Sequence, residues 1–533
     1  MEYDSGVDGL MNFYSIQFVT FLAIVLLCYY TVFRKQQWVC LLAASMVFYC
    51  FTGVENFLFL LLTGFTTWIG AKKLVVYSQK MSALRSDKTI EKEEKKTRKE
   101  KIIKKRRTIM WGVLLVNFGV LACLKYMEPI LVNIGLSGDG NVLGIVLPLG
   151  ISFYTFQSVG YLLDTYNEKY DAEENFAKYM LFVSYFPQMI QGPINRHDAM
   201  RAQFNEQYIW NGERATKAAY RIFYGLMKKY AIANILAVAI ANTFDSPAKD
   251  YAGVTVVFAI LLYSAQQYAD FSGGIDMVLG VSELFGIHMA ENFKQPYFST
   301  SLADFWRRWH ISLGKWMRDY VFYPFALTKP MKNFGKWANK RLGKHLGRVL
   351  PAAIGNLVVF FIVGIWHGAE WHYIVWGLYN GVVIAVSDIL APVYDKVSEI
   401  LHINRKATWY HIFQIIRTFI VVNIGWYFDR ITDMEVAWHS LQKTFFNFNA
   451  GMIATEVGTI FEGVKANAEW MALIGCVIVF VVSVLEENKI DVKEVLYRAP
   501  LLVRWGIYIF VIILILFSCT RVGVTGGFMY ANF

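Results

Sequence analysis

The sequence predicts an all-α polytopic membrane protein with about 11–13 transmembrane or re-entrant helices around a central tunnel or funnel. Three observations carry this. Of the 533 residues, 56% are hydrophobic and only 17% are charged, a balance far from that of soluble domains. Mean hydropathy is +0.37. The apolar residues gather into long runs separated by basic clusters. Candidate spans lie near 13–31, 38–54, 56–70, 109–126, 142–163, 217–243, 252–271, 351–366, 371–392, 409–428, 469–486 and 501–519. Several fall short of the roughly 20 residues that cross the hydrocarbon core, which suits tilted, re-entrant or half-helices lining a cavity.

The opening MEYDSGVDGLMNF is acidic and lacks the basic leader of a secretory signal, so no cleavage is expected and the first apolar run is a span. The six cysteines, Cys28, Cys40, Cys50, Cys123, Cys476 and Cys519, are scattered through apolar stretches and are expected to be small buried hydrophobes. Most of the net charge of +11 lies between Lys72 and Arg107, where 15 Lys plus Arg face 5 Asp plus Glu. By the positive-inside rule this loop is cytoplasmic, as is Lys329–Arg348, with seven Lys or Arg and no acid. Counting outward places both termini, including the tail 520–533, outside. Within the basic loop, TIEKEEKKTRKEKIIKKRR mixes signs at helical spacing and reads as a solvated helix, either a topology determinant or a docking surface for an acidic carrier or anionic acyl donor.

The middle is less regular. LPLGISFYTFQSVGYLLDTYN, YFPQMIQGPINRH and YADFSGGIDMVLG mix apolar residues with Gly, Pro, Gln and Asp, as expected of helices that break around an internal cavity. Two histidines then sit in cassettes rich in tryptophan and glycine, His310 in DFWRRWHISLGKWMRDY and His367 in GIWHGAEWH. Ionisable groups among membrane spans are functional candidates by default, and histidine titrates nearest neutrality. In the first cassette Trp309, Leu313, Trp316 and Tyr320 form an apolar helical stripe and Arg308, Ser312, Lys315 and Asp319 a polar one. The spacing predicts an amphipathic interfacial helix with His310 near the boundary of its faces. His367 ends a short apolar run beside Gly368, which permits close approach of a ligand or backbone. His367 and His372 are five apart, off a common helical face, and no HExxH pattern occurs, so no metal site is expected.

LPLGISFYTFQSVGYLLDTY, FPQMIQGPINR, YADFSGGIDM, NFKQPYFSTSLADFWRRWHISLGKWMRDYVFYP and GIWHGAEWHYIVWGLYNG together resemble the bacterial branch of the membrane-bound O-acyltransferase family. The resemblance covers roughly residues 10–520. It is most similar to the alginate O-acetylation membrane proteins and more distantly to the D-alanyl transfer protein of teichoic acid modification. The resemblance implies a catalytic histidine at His367 and a second functional position at His310. Trp306, Arg307, Trp309, Trp366, Asp270 and Gln191 are candidates to line the substrate path. After DYVFYP the chain reads FALTKPMKNFGKWANK in place of the short glycine-rich stretch usual in alginate-type members, which leaves the donor and the acceptor open. FMYANF, at 528–533, resembles the FxYxxF motif of bacterial cell-surface acylation proteins, in which the tyrosine is proposed to carry the acyl group, here Tyr530.

The expected activity is transfer of an acyl group, acetyl first, from a cytoplasmic thioester to a hydroxyl on the outer side of a bacterial plasma membrane. The thioester, acetyl-CoA or an acyl carrier protein, is a substrate, and no bound cofactor is expected. Expected partners are membrane lipid, the donor, and an extracytoplasmic acyltransferase- or esterase-like protein or a polysaccharide; nucleic acid is not among them. A D-alanyl-type transferase fed by a carrier protein and a transporter that moves donor or glycan without chemistry are the alternatives. All of this is placed in a single integral membrane domain, 1–533.

Overall fold

A chain that crosses lipid must satisfy its backbone polar groups within its own segments, and a helix does so turn by turn. The computed structural model describes residues 15–51, 53–133, 147–189, 191–245 and 250–522, and every extended regular element among them is helical. Among the described residues six helices are long and apolar enough to span a bilayer: Asn56–Ser86, Lys92–Met127, Gly212–Phe244, Lys344–His367, Ala468–Glu487 and Leu501–Val522. A seventh candidate is the pair Trp371–Ile389 and Ala391–Ile400, bent by 53°. Ile16–Tyr30 and Gln37–Cys50 are shorter apolar helices. The protein is thus an all-α polytopic membrane protein. Of the cysteines, Cys40 is buried, whereas Cys50 and Cys123 are exposed. Both lie in apolar helices at positions that the rest of the described chain does not cover, so the expected burial fails for them.

The described chain divides into two compact units, one built from residues up to Ala218 with Val278–Ala290, the other from Ala219–Met277 and from Glu291 onward. In the first unit an aromatic cluster, Phe18, Phe48, Phe186 and Phe285, forms part of the core. The Gln37 amide clamps Tyr208, donating to its carbonyl at 2.7 Å and accepting from its N–H at 2.8 Å. The helix Ile151–Tyr166 is buried on nearly all sides, so it belongs to the core of its unit instead of a lipid-facing surface. It starts after Gly150, whose φ of 69° favours glycine and where a Cβ would meet the Met189 carbonyl oxygen at 2.4 Å. The basic stretch 72–107 is helical on both sides of a short turn at Asp87, with the helices Val54–Ser86 and Lys92–Asn133 running through it. An Arg98–Glu94 pair at i,i+4 supports the second helix, as the mixed charge pattern predicts.

In the second unit, two expectations of helix continuity change places. YADFSGGIDM was expected to break, yet Gly253–Leu284 is a single 32-residue helix. Its glycine serves close packing: a Cβ on Gly225 would meet the Gly273 carbonyl oxygen at 2.5 Å. Opposite Gly273 the chain passes into a π-helical stretch, Lys228–Ala233. Conversely, the amphipathic helix expected through 304–320 is broken at His310, into Leu302–Arg308 and Ile311–Met317. Beyond it, Lys344–His367 and Trp371–Ile389 form a tight hairpin. Three glycines set its spacing: Cβ atoms on Gly364 and Gly381 would press on Tyr373 and Leu357, and one on Gly377 would press on the Phe360 carbonyl.

Candidate active site

His310 is positioned by backbone strain and by one asparagine. Ser301 caps the preceding helix, its hydroxyl accepting from the Asp304 N–H at 3.1 Å. Asp304 in turn pairs with Arg308, which also reaches Glu487 at 2.7 Å. The helix ends at Trp309 in extended backbone, and His310 turns into the left-handed region with φ 45° and ψ 52°. A non-glycine residue there costs about 1–2 kcal/mol, so its surroundings must hold it. Asn292 does so. Its carbonyl accepts the Ile311 N–H at 3.0 Å, and its side-chain oxygen accepts the Ser312 N–H at 2.9 Å and faces His310 Nδ1 at 3.3 Å. The Lys294 N–H donating to the Arg308 carbonyl at 2.9 Å continues the clamp.

The imidazole of His310 is buried, its ring centroid 4.9 Å from that of Phe271 with the two planes perpendicular. Burial pushes its pKa down to about 3, because a charged imidazolium would lose its hydration. His310 is therefore a neutral hydrogen-bonding group at physiological pH.

His367 is the last residue of the Lys344–His367 helix and is also buried. Its ring lies 4.9 Å from Trp366, 4.9 Å from Trp376 and 5.7 Å from the nearly parallel ring of Tyr373. Gly368 lets the chain turn over this cluster: a Cβ there would strike the Glu370 carboxylate and come within 2.5 Å of the Tyr373 ring. The Trp366 ring lies 6.2 Å from the His310 ring, so one indole touches both histidines.

Other predicted residues fall around this pair in different ways. Trp306 donates its indole N–H to Asn380 Oδ1 at 3.0 Å and packs on Trp376, tying the short helix before His310 to the hairpin that carries His367. Trp309 is buried against Phe305, Phe293 and Trp426 as core. Arg307 points outward, 69% exposed and paired with Asp304. Asp270 is buried in an ion pair with Lys229 at 2.6 Å. Gln191 is buried in the first unit. Tyr530 lies outside the described residues. Asn292, Asn380, Tyr373 and Trp376 join the site without having been singled out in the sequence. Asn292 stands at the head of NFKQPYF, but nothing local marks it as the clamp of a residue 18 positions on.

Chemically, the buried His367 imidazole among indole and phenol rings is a group of the kind that takes a proton from a hydroxyl, whereas His310 is suited to hydrogen bonding. A cavity of about 460 Å³ adjoins this centre without including it: Phe293 and Ile311, the neighbours of Asn292 and His310, form part of its wall, and neither histidine does.

The profile of the membrane-bound O-acyltransferase family matches residues 173–339. The chain is 30% identical over 459 residues to the "Probable alginate O-acetylase AlgI" of Pseudomonas aeruginosa, covering 83% of this chain and 77% of that protein. It is 32% identical to the peptidoglycan O-acetyltransferase of Helicobacter pylori over 62% of this chain and 63% of that one. With the teichoic acid D-alanyltransferase of Bacillus subtilis it shares 31% identity over 52% of this chain and 67% of that protein. With so much of an alginate O-acetylase matched along its length, the chain belongs to the membrane-bound O-acyltransferase family and is an O-acyltransferase.

Proposed function

We propose that this enzyme moves an acetyl group from a cytoplasmic thioester across a bacterial plasma membrane for O-acetylation of an extracellular polysaccharide, with His367 as general base. The observation that carries the reading is the placement of His367 at the end of a candidate membrane span, in an aromatic enclosure whose Trp366 also touches His310. The relatives named for alginate and peptidoglycan O-acetylation support acetyl as the group and an envelope polysaccharide as the acceptor. The basic segments 72–107 and 329–348 face the cytoplasm in this reading, which puts the far end of Lys344–His367 toward the outer side.

A phenol is a poor nucleophile while protonated, with a pKa near 10. His367 takes the proton of Tyr530, the phenolate oxygen attacks the thioester carbonyl, and the C–S bond breaks. The thiolate leaves as a thiol with the proton that His367 returns, and Tyr530 holds the acetyl as an ester. In a second step a hydroxyl of the polysaccharide, or of an extracytoplasmic partner enzyme, displaces the tyrosine. Neutral His310 orients the donor at its entrance by hydrogen bonding. The donor, coenzyme A thioester or acyl carrier, is a substrate throughout.

Mass spectrometry of the peptide containing FMYANF from active cells tests the relay. An acetyl adduct on Tyr530 is expected, absent in His367→Ala. Full surface acylation by Tyr530→Phe would remove the relay and leave the His367 step standing. The likeness to a teichoic acid D-alanyltransferase, together with the long basic helix from Lys92, favours one second reading, D-alanyl transfer from a carrier protein. The mass of the adduct separates the two.

A further inference from the structure

The lining of the cavity beside the histidine centre combines an ion cluster, an apolar slot and further charged side chains. In the cluster, Asp276 accepts from Arg221 at 3.0 Å and from Lys228 at 2.6 Å, and Glu291 accepts from Arg221 at 2.8 and 2.5 Å. The Lys228 ammonium also donates to Ser272 at 3.1 Å and lies 4.2 Å from the Tyr224 ring centroid. Two cations and two carboxylates therefore compensate one another there. The slot is apolar: Ile478 and Val482 come from Ala468–Glu487, Ile507 and Val511 from Leu501–Val522, and Leu496 from the segment between them.

Both of these helices are candidate membrane spans with exposed apolar faces, including Phe480 at 60% and Ile509 at 52%. Lys294, Lys493 and Glu486 also line the cavity. Glu486 accepts from Gln295 at 2.6 Å, and neither lysine enters a salt bridge among the described residues. Over the whole lining, four basic side chains, Arg221, Lys228, Lys294 and Lys493, face three acidic ones, Asp276, Glu291 and Glu486, which leaves one net positive charge beside apolar residues from two candidate spans.

A soluble anion would leave the slot empty, and a fatty chain alone would leave the lysines unused. An amphiphile with one net negative charge satisfies both. We propose that this cavity binds an anionic glycerophospholipid, its phosphate at Lys294 and Lys493 and one acyl chain along Val482, Ile507 and Val511. The site is separate from the acyl-transfer centre and stands whether or not the relay through Tyr530 does. The volume, about 460 Å³, is that of a ligand pocket.

The test uses the full-length protein reconstituted in nanodiscs of equal parts phosphatidylcholine and phosphatidylglycerol, followed by native mass spectrometry in detergent. The wild type is expected to keep a single phosphatidylglycerol. The double variant Lys294→Glu, Lys493→Glu should lower its retention about tenfold or more, since each basic residue near an anionic headgroup contributes about 1 kcal/mol. Val482→Trp, which fills the slot and leaves the lysines in place, should lower it too. Equal retention by both variants, or equal retention of phosphatidylcholine, would overturn the proposal. Release of the lipid by added coenzyme A would also overturn it, by assigning the lysines to the phosphate of a soluble donor.

Discussion

At His310 a conformational cost and a burial cost fall on the same residue. The left-handed backbone is expensive for any residue with a Cβ, and the ring is held neutral in an apolar pocket. His310→Gly should therefore be more stable than His310→Ala by about 1 kcal/mol, because glycine takes that conformation freely. Thermal unfolding of both variants in detergent checks the difference, and both should lose acyl transfer if the imidazole orients the donor. Burial also fixes the sign of a pH effect. The unfolded chain binds a proton at His310 below about 6.5 and the folded chain only near 3, so this residue makes the fold less stable as pH falls between those values. His310→Asn, which tolerates the same backbone, should show a shallower loss of stability over that range than the wild type. Asn292→Ala would leave the buried Ser312 N–H without its acceptor, at about 1–3 kcal/mol. A variant as stable as wild type would show that water or another group replaces the clamp.

The elements divide by how local their causes are. The hairpin of Lys344–His367 and Trp371–Ile389 is readable from two apolar runs and the WHG turn between them, and its glycines fall where the backbones approach closely. Gly377→Leu should destabilise the hairpin by about 1–3 kcal/mol through overpacking, with a lowered unfolding temperature and reduced acyl transfer. A Gly377→Leu protein of wild-type stability would mean that the two helices can separate without consequence. Other elements depend on distant partners and were not legible. The stripe Trp309, Leu313, Trp316 is apolar at helical spacing and is buried as such, yet the helix breaks within it because Asn292 captures the N–H groups after His310. The glycines of YADFSGGIDM look like a break, and Gly273 instead faces Gly225 on another helix. In both cases the deciding contact lies far away in sequence, where periodicity and turn chemistry carry no information.

For the whole molecule, composition and the five cassettes were enough to indicate an all-α membrane O-acyltransferase, and the alignment with an alginate O-acetylase over 83% of the chain agrees. The contact of Trp366 with both His310 and His367 was not legible, because the two histidines lie 57 positions apart in the sequence. The proposed orientation makes its own prediction. A cysteine placed at Lys340 should react with a membrane-impermeant maleimide only after permeabilisation, and one at Ala369 should react in intact cells; the reverse pattern would invert the route of the acyl group. The proposed route of the acyl group depends above all on His367 as the base of acyl transfer. The most direct measurement is surface O-acylation in cells carrying His367→Ala at wild-type protein level. The account predicts a fall of about 10²-fold or more, and acylation unchanged from wild type would contradict it.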